Sequence, residues 1–273
     1  MNRLLTAQRL VELSHFHPKL QNLWYLVAAT TLSVCNEPQE IPKLYHYAMM
    51  VKGPEATANQ DLAKKTMDMF RKDSQSLKLL FNEMYCEPTS LQTELTEKLR
   101  EALLKSSALS GLPKAINSLS HLKEATPIGL LSKVQHIDPS SSIPLFHNTK
   151  RCANESTNES AKEGLKHWSH IYSKVSEKVI NNLNSSYPDL WYYTISHVYG
   201  PLLSFDGVLN AQETSLIIVA SLVPQDVNPQ LWGHLKGAVN VGCDKEVIEA
   251  VRSLSVMVAQ WCGVEWKNEV VKL

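Results

Sequence analysis

The fold is decided by residues 209–242, LNAQETSLIIVASLVPQDVNPQLWGHLKGAVNVG. Apolar residues recur at helical spacing on both sides of Pro224, and this pattern predicts two helices joined as a hairpin. Asn210 and Glu213 have the spacing of a capping box, in which each side chain satisfies a backbone N–H of the other residue. We therefore predict that the first helix begins just after Asn210.

The second helix of this hairpin carries a histidine, His234, inside its apolar stripe. Leu231 and Leu235 lie on the same predicted face, so the imidazole should be partly removed from water. We expect Asn228 to cap this helix, and we expect Gly242 to end it in a left-handed conformation. The boundaries of this helix are thus defined by local chemistry alone.

Helical spacing continues along most of the remaining chain, and long alternating stretches of β-branched residues are absent. Helices are predicted over residues 20–34, 41–51, 61–85, 93–110, 188–198 and 244–261. Residues 127–163 are polar and rich in Ser and Asn, which is typical of a linker. The sequence predicts an all-α fold, with one domain at 1–126, a polar linker at 127–163 and a second domain at 164–273.

The two predicted domains resemble each other in pattern. Residues 16–32, FHPKLQNLWYLVAATTL, match the apolar pattern of residues 209–223, and each stretch is followed by a helix with one histidine, His46 or His234. Each half then ends in a helix closed by glycine, Gly111 or Gly263. We predict two tandem repeats, of which the first is degenerate and structural.

Composition limits the function. The chain has 273 residues, of which 44% are hydrophobic and 20% charged, and its 27 basic residues balance 27 acidic residues. The absence of net charge argues against nucleic-acid binding. No apolar run approaches the roughly 20 residues of a membrane-spanning helix. Five widely spaced cysteines without a C-x-x-C pair argue against a disulfide framework and against a metal site.

The three C-terminal residues suggest where in the cell the protein is located. Val271, Lys272 and Leu273 resemble the S-K-L tripeptide that the peroxisomal import receptor binds, with valine in place of the small first residue. We therefore expect the peroxisomal matrix as location and the import receptor as a partner. The alternatives are the cytoplasm and, because Arg3 and Arg9 lie on an amphipathic start, the mitochondrion.

Three stretches then resemble a known family: residues 187–200, YPDLWYYTISHVYG; residues 208–222, VLNAQETSLIIVASL; and residues 230–251, QLWGHLKGAVNVGCDKEVIEAV. They are similar to the carboxymuconolactone decarboxylase-like family of the AhpD-like superfamily. The shared pattern includes Tyr199-Gly200 and H-L-x-G-A-x-N-x-G from His234 to Gly242. The resemblance implies an AhpD-like helical fold that oligomerises, with decarboxylase, lactone-type or thiol chemistry.

The chain also departs from that pattern. The peroxidase branch needs a C-x-x-C pair shortly before the histidine, but residues 227–233 are VNPQLWG. This argues against a peroxidase of that mechanism. The family commonly has a glutamate where this chain has Ser215, so the carboxylate is either shifted to Glu213 or lost.

The resemblance implies a site around His234, which would act as a general acid or base. The alternative is a core histidine that is hydrogen-bonded to a backbone carbonyl. Glu213 is the second catalytic candidate, although helix capping would explain it equally. The residues that we expect to bind the substrate are Ser215, Tyr199, Trp232 and His197.

Three functions follow. The first is an enzyme that carries out proton-transfer chemistry, either decarboxylation or conversion of a lactone or acyl thioester, on a small carboxylate or acyl substrate, without a metal or organic cofactor. The second is a non-catalytic AhpD-like helical homo-oligomer with a binding or structural role. The third is a thiol-based antioxidant protein that uses Cys243 or Cys262.

Overall fold

A computed structural model describes residues 4–53, 59–133, 149–151 and 156–273. Within these ranges the chain is helical and has no strand, which confirms the predicted all-α fold. The helices are α1 (Ala7–Ser14), α2 (Trp24–Val34), α3 (Ile41–Val51), α4 (Asn59–Met69), α5 (Ser74–Met84), α6 (Ser90–Ser110), α7 (Leu112–Ala125), α8 (Thr157–Tyr172), α9 (Ser176–Ser186), α10 (Pro188–Tyr193), a π-helix (Thr194–Leu203), α11 (Ala211–Leu222), α12 (Asn228–Asn240) and α13 (Lys245–Trp261).

Four helices form the centre of the fold. Every residue of α2 is buried, and α11 is buried from Thr214 to Leu222. Helix α2 packs against α6, α11 and α13, and α11 packs against α6 and α13. Because these four helices come from both halves of the chain, the halves share one hydrophobic core. The division into two tandem repeats stays a prediction.

The predicted hairpin is present as α11 and α12. The capping box forms in both directions, with Glu213 N donating to Asn210 Oδ1 at 2.8 Å and Asn210 N donating to Glu213 Oε2 at 3.0 Å. Gly242 ends α12 with a φ of +92°. The predicted cap at Asn228 is wrong, because Val227 precedes the helix and the Asn228 side chain instead binds the backbone of Glu269 and Val271.

Three other predicted boundaries differ. The helix expected over residues 61–85 is two helices, because Asp73 accepts a hydrogen bond from Ser76 N and so starts α5. The helix expected over residues 188–198 changes into the π-helix at Thr194. Helix α8 begins at Thr157, inside the stretch expected to be linker. Residues 134–148 and 152–155 of that stretch lie outside the described residues.

Helix α12 packs closely against α8 through two residues that follow His234, Gly237 and Asn240. A Cβ atom on Gly237 would lie 2.5 Å from Ile171 Cγ2, so only glycine allows this approach. Asn240 Nδ2 donates to Ile171 O at 2.8 Å and satisfies a carbonyl in the last turn of α8. A Cβ atom on Gly164 would likewise lie 2.5 Å from Gly200 N. Because glycine has no such atom, the π-helix can pack directly against α8.

Candidate functional site

A cavity of about 810 Å³ lies between α8, α9, the π-helix and α12. Its size suits a small molecule, and the π-helix is a form that often occurs at functional sites. Aromatic and aliphatic side chains line much of its wall, including Trp168, Ile171, Tyr172, Val179, Leu183, Tyr199 and Trp232, together with His234. Helices α8 and α12, which form two of its walls, are in contact through Gly237 and Ile171.

His234 faces this cavity from α12. The residue is only 8% exposed, and its ring centroid lies 6.1 Å from that of Tyr172. Within the described part of the chain, no group forms a hydrogen bond with the imidazole, in contrast to the core-histidine alternative. Burial lowers the pKa of His234 to about 4, with a further contribution from His167. The ring is therefore neutral near pH 7 and free to accept a proton.

A second histidine, His167, lies on α8 behind the cavity wall and was missed by the sequence analysis. Its ring centroid is 6.3 Å from that of Tyr199, and its Nε2 is buried with no hydrogen-bond partner among the described residues. Burial lowers the pKa of His167 to about 4, and the Lys105 ammonium adds to this effect. Its position directly before Trp168, in the apolar stripe of α8, is the sequence signal that could have identified it.

Tyr172 and Tyr199 form a hydrogen-bonded pair in the cavity wall, with their hydroxyl oxygens 3.2 Å apart. Trp168 packs against both rings, at centroid distances of 4.1 and 4.7 Å. Burial raises the pKa of both phenols, so both keep their protons and can donate hydrogen bonds. Tyr199 was expected at the site, whereas Tyr172 and Trp168 were not.

The mouth of the cavity is aromatic and positively charged. Trp232 is 44% exposed, and the Lys236 ammonium lies 4.5 Å from its ring centroid. Lys174 lines the cavity as well, and none of the described lining residues is Asp or Glu. The cavity is therefore better suited to an anion than to a cation.

Three expected site residues lie outside the lining of this cavity. Glu213 caps α11 and pairs with Lys98 at 2.7 Å. Ser215 is buried within α11, and its Oγ has no partner among the described residues. His197 is exposed and packs on Tyr192 and Tyr193, at centroid distances of 5.5 and 5.3 Å. Their catalytic and binding roles stay predictions, as does the homo-oligomer.

The histidine of the first half, His46, has different surroundings. It is fully buried, its Nε2 donates to Ala125 O at 2.8 Å, and its ring stacks on Phe81. Burial lowers its pKa to about 3. This is the arrangement of a structural histidine.

The described residues hold no group of three or more His, Cys, Asp or Glu side chains that could bind a metal ion. In the same residues, no helix has the length and apolarity needed to cross a membrane. Cys243 is buried beside Gln212 O at 3.7 Å, and burial raises its pKa to about 11. Its thiol is therefore a poor nucleophile near neutral pH.

Comparison with known proteins supports the resemblance. The sequence model of the carboxymuconolactone decarboxylase family matches residues 190–272, which include the π-helix and the hairpin. The chain is 57% identical to peroxisomal protein 2 of Saccharomyces cerevisiae, over 100% of both chains, and 31% identical to peroxisomal protein 2 of Schizosaccharomyces pombe, over 91% of both. No solved structure matches. The names of both relatives confirm the predicted peroxisomal location.

Proposed function

We propose that the chain, which belongs to the same family as the yeast proteins named peroxisomal protein 2 and whose residues 190–272 match the carboxymuconolactone decarboxylase family, is a proton-transfer enzyme. In this proposal His234 removes or returns a proton on a small carboxylate or acyl substrate, such as a lactone or acyl thioester, at a carbon next to the carbonyl. The observation that carries the proposal is a neutral imidazole, without a hydrogen-bond partner among the described residues, that faces a cavity of about 810 Å³.

An anionic substrate would improve His234 as a base. In the free protein, a pKa of about 4 makes the imidazole a weak base. A carboxylate or a developing enolate beside the ring would stabilise the imidazolium and raise that pKa towards neutrality. Lys174 and Lys236 would attract such an anion, and no described lining residue would repel it by a negative charge. Binding of an anionic substrate would thus make His234 a stronger base.

Tyr172 and Tyr199 supply the second requirement, which is stabilisation of negative charge on the carbonyl oxygen. Their hydroxyl groups are 3.2 Å apart, and one hydroxyl proton stays available after the mutual hydrogen bond is made. Both phenols stay protonated because burial raises their pKa. A donor that is already oriented in a partly dry cavity stabilises an enolate more strongly than water does.

The test is solvent deuterium exchange. Wild-type protein in D₂O is incubated with a panel of small carboxylates, lactones and acyl thioesters, and NMR measures loss of the proton next to the carbonyl. We expect exchange with at least one compound and a loss of about 100-fold or more in His234→Gln. His170→Gln is the matched control, since His170 is exposed on α8. Exchange that is equal in wild type and His234→Gln, or absent throughout the panel, would contradict the proposal.

A second candidate is ligand binding without turnover. It is favoured by the position of Glu213 and Ser215, the two polar residues expected to assist His234, because neither lines the cavity. The same panel separates the two functions. Compounds that raise the melting temperature of wild type but not of Trp232→Ala, and that show no deuterium exchange, would indicate a binding protein.

We also propose that Val271, Lys272 and Leu273 bind the peroxisomal import receptor. Val271 N donates to Asn228 Oδ1 at 3.1 Å, and Leu273 packs partly against the hydrophobic core. The three residues must therefore detach from the folded domain before a receptor can bind them. The test is the location of an N-terminal fluorescent fusion. Leu273→Lys should stay outside peroxisomes, and Asn228→Ala should still enter them. Peroxisomal Leu273→Lys would contradict the proposal.

A further inference from the structure

A second cavity, of about 230 Å³, lies in the first half of the chain, where α3, α4, the end of α5 and the start of α6 meet. Its volume exceeds the roughly 150 Å³ that is enough to hold a molecule of benzene. It shares no lining residue with the cavity at His234. The residues that line it are Met50, Gly53, Leu62, Lys65, Met84, Tyr85 and Gln92. The cavity is therefore a separate place in which a small molecule can be held.

One lining residue, Tyr85, has a hydroxyl group without a partner. The residue is 4% exposed, and its buried hydroxyl forms no hydrogen bond with any described residue. Burial raises the pKa of the phenol, so the hydroxyl keeps its proton and can donate it in a hydrogen bond. The ring packs near His46, with the two centroids 5.6 Å apart. Because a buried hydroxyl without a partner is destabilising, a ligand that carries an acceptor would gain affinity by binding it.

Two further polar groups line the same cavity. Gln92 Nε2 donates one hydrogen to Met49 O at 3.2 Å, and Gln92 Oε1 accepts from Thr89 N at 3.0 Å, so the second Nε2 hydrogen stays available. Lys65 adds a positive charge, and its side chain is exposed on α4 and in no ion pair with a described carboxylate. None of the described lining residues is Asp or Glu. The polar groups of the lining therefore favour an anion.

We propose that this cavity is a second ligand site, which binds a small monocarboxylate with an apolar part of about six to eight carbon atoms. The carboxylate accepts hydrogen bonds from the Tyr85 hydroxyl and Gln92 Nε2 and is attracted by the Lys65 ammonium. The hydrocarbon part contacts the leucine and the two methionines of the lining. Methionine side chains are flexible enough to adjust to a ring or a chain. This inference does not depend on the function proposed for His234.

The experiment labels the methionine methyl groups of the full-length protein with ¹³C and follows their NMR signals as benzoate is added. Met50 and Met84 line this cavity, whereas no methionine is among the described residues that line the cavity at His234. The signals therefore report which of the two cavities is filled. We expect both signals to shift at millimolar benzoate, and we expect Tyr85→Phe to weaken this binding about tenfold or more. Benzamide, a neutral molecule of similar shape, should bind more weakly than benzoate.

The tyrosine variant also tests whether its hydroxyl has no partner in the protein. Tyr85→Phe removes only that group, so without benzoate its resistance to urea should equal or exceed that of wild type. Tyr45→Phe is the matched comparison and should be less stable, because it loses the hydrogen bond between Tyr45 Oη and Thr96 Oγ1 at 2.9 Å. A loss of stability in Tyr85→Phe as large as that in Tyr45→Phe would contradict the proposal.

Three more variants complete the test. Lys65→Met should weaken benzoate binding, whereas Lys64→Met should not, because Lys64 is on the same helix but does not line the cavity. His234→Gln should leave the shifts of the two lining methionines unchanged, which separates this site from the function proposed for His234. Methionine signals that stay in place as benzoate is added, or that shift equally in wild type and Tyr85→Phe, would overturn the proposal.

Discussion

Gly237 and Ile171 are so close that a Cβ atom on Gly237 would lie 2.5 Å from Ile171 Cγ2. This contact sets the distance between α12, which carries His234, and α8, which carries Tyr172 and Trp168. The geometry of the cavity therefore depends on a residue that does not line it. The Asn240 hydrogen bond to Ile171 O strengthens the same contact.

The first prediction tests this contact. Gly237→Ala should lower the free energy of unfolding by about 1–2 kcal/mol, although alanine favours a helix by about 1 kcal/mol, because the added methyl forces α12 away from α8. The matched control is Gly233→Ala on the same helix, where a Cβ would meet nothing within 4 Å. That control should raise stability by up to about 1 kcal/mol, as measured by urea unfolding. Equal stability of the two variants would contradict the argument.

The second prediction concerns pH. Burial lowers the pKa of His46 to about 3 and that of His167 and His234 to about 4 from an ordinary value of 6.5. Between pH 6.5 and 4 the unfolded chain binds more protons than the folded protein, so stability falls as pH falls, by about 3 kcal/mol per histidine at the lower limit. Well above pH 6.5 these histidines do not contribute to the pH dependence of the free energy of unfolding.

Urea unfolding between pH 5 and 8 measures this slope. His234→Gln should reduce the slope by the contribution of one histidine. A wild-type stability that is constant from pH 5 to 6.5 would show that these imidazoles are not buried in neutral form.

The third prediction separates capping from catalysis at Glu213. Glu213→Gln keeps the side-chain acceptor of the capping box but loses the charge pair with Lys98, and should cost at most about 1 kcal/mol. Glu213→Ala also loses the cap and should cost about 0.5–1 kcal/mol more. Neither variant should change the rate of deuterium exchange. A loss in Glu213→Gln as large as that in His234→Gln would instead make Glu213 catalytic.

The fourth prediction concerns Lys105, whose side chain joins α6 to the end of the π-helix. Its ammonium is fully buried and donates to Phe205 O at 2.6 Å, to Thr214 Oγ1 at 2.8 Å and to Leu203 O at 3.2 Å. Lys105→Met would leave these acceptors without their donor and should cost about 2–4 kcal/mol. Lys98→Met, which removes the partly exposed ion pairs with Glu94 and Glu213, should cost about 1 kcal/mol or less. Similar losses in the two variants would contradict this role.

Much of the local structure could be predicted from the sequence. The capping box at Asn210 and Glu213 and the glycine end of α12 both form as expected, because each depends on residues within one turn. The prediction at Asn228 was wrong for the opposite reason. Its amide binds residues 269 and 271, which no local pattern could bring close.

The site was only partly predictable. His234 could be expected on a buried face because helical spacing places it there, and Tyr199 through the family pattern. Tyr172 and Trp168 could not, because they reach the site from α8, and the position of α8 relative to α12 depends on how the helices pack. Helical spacing could place His167 on a buried face of α8, but not beside the cavity.

The sequence by itself determined the helical class, the hairpin of α11 and α12, and the presence of a desolvated histidine, since spacing and capping act over a few residues. Only the tertiary structure decided what the histidine faces and which lysines and tyrosines surround it. Those distances depend on the packing of helices from both halves of the chain into one core, where close approach is set by side-chain volume rather than by position in the sequence.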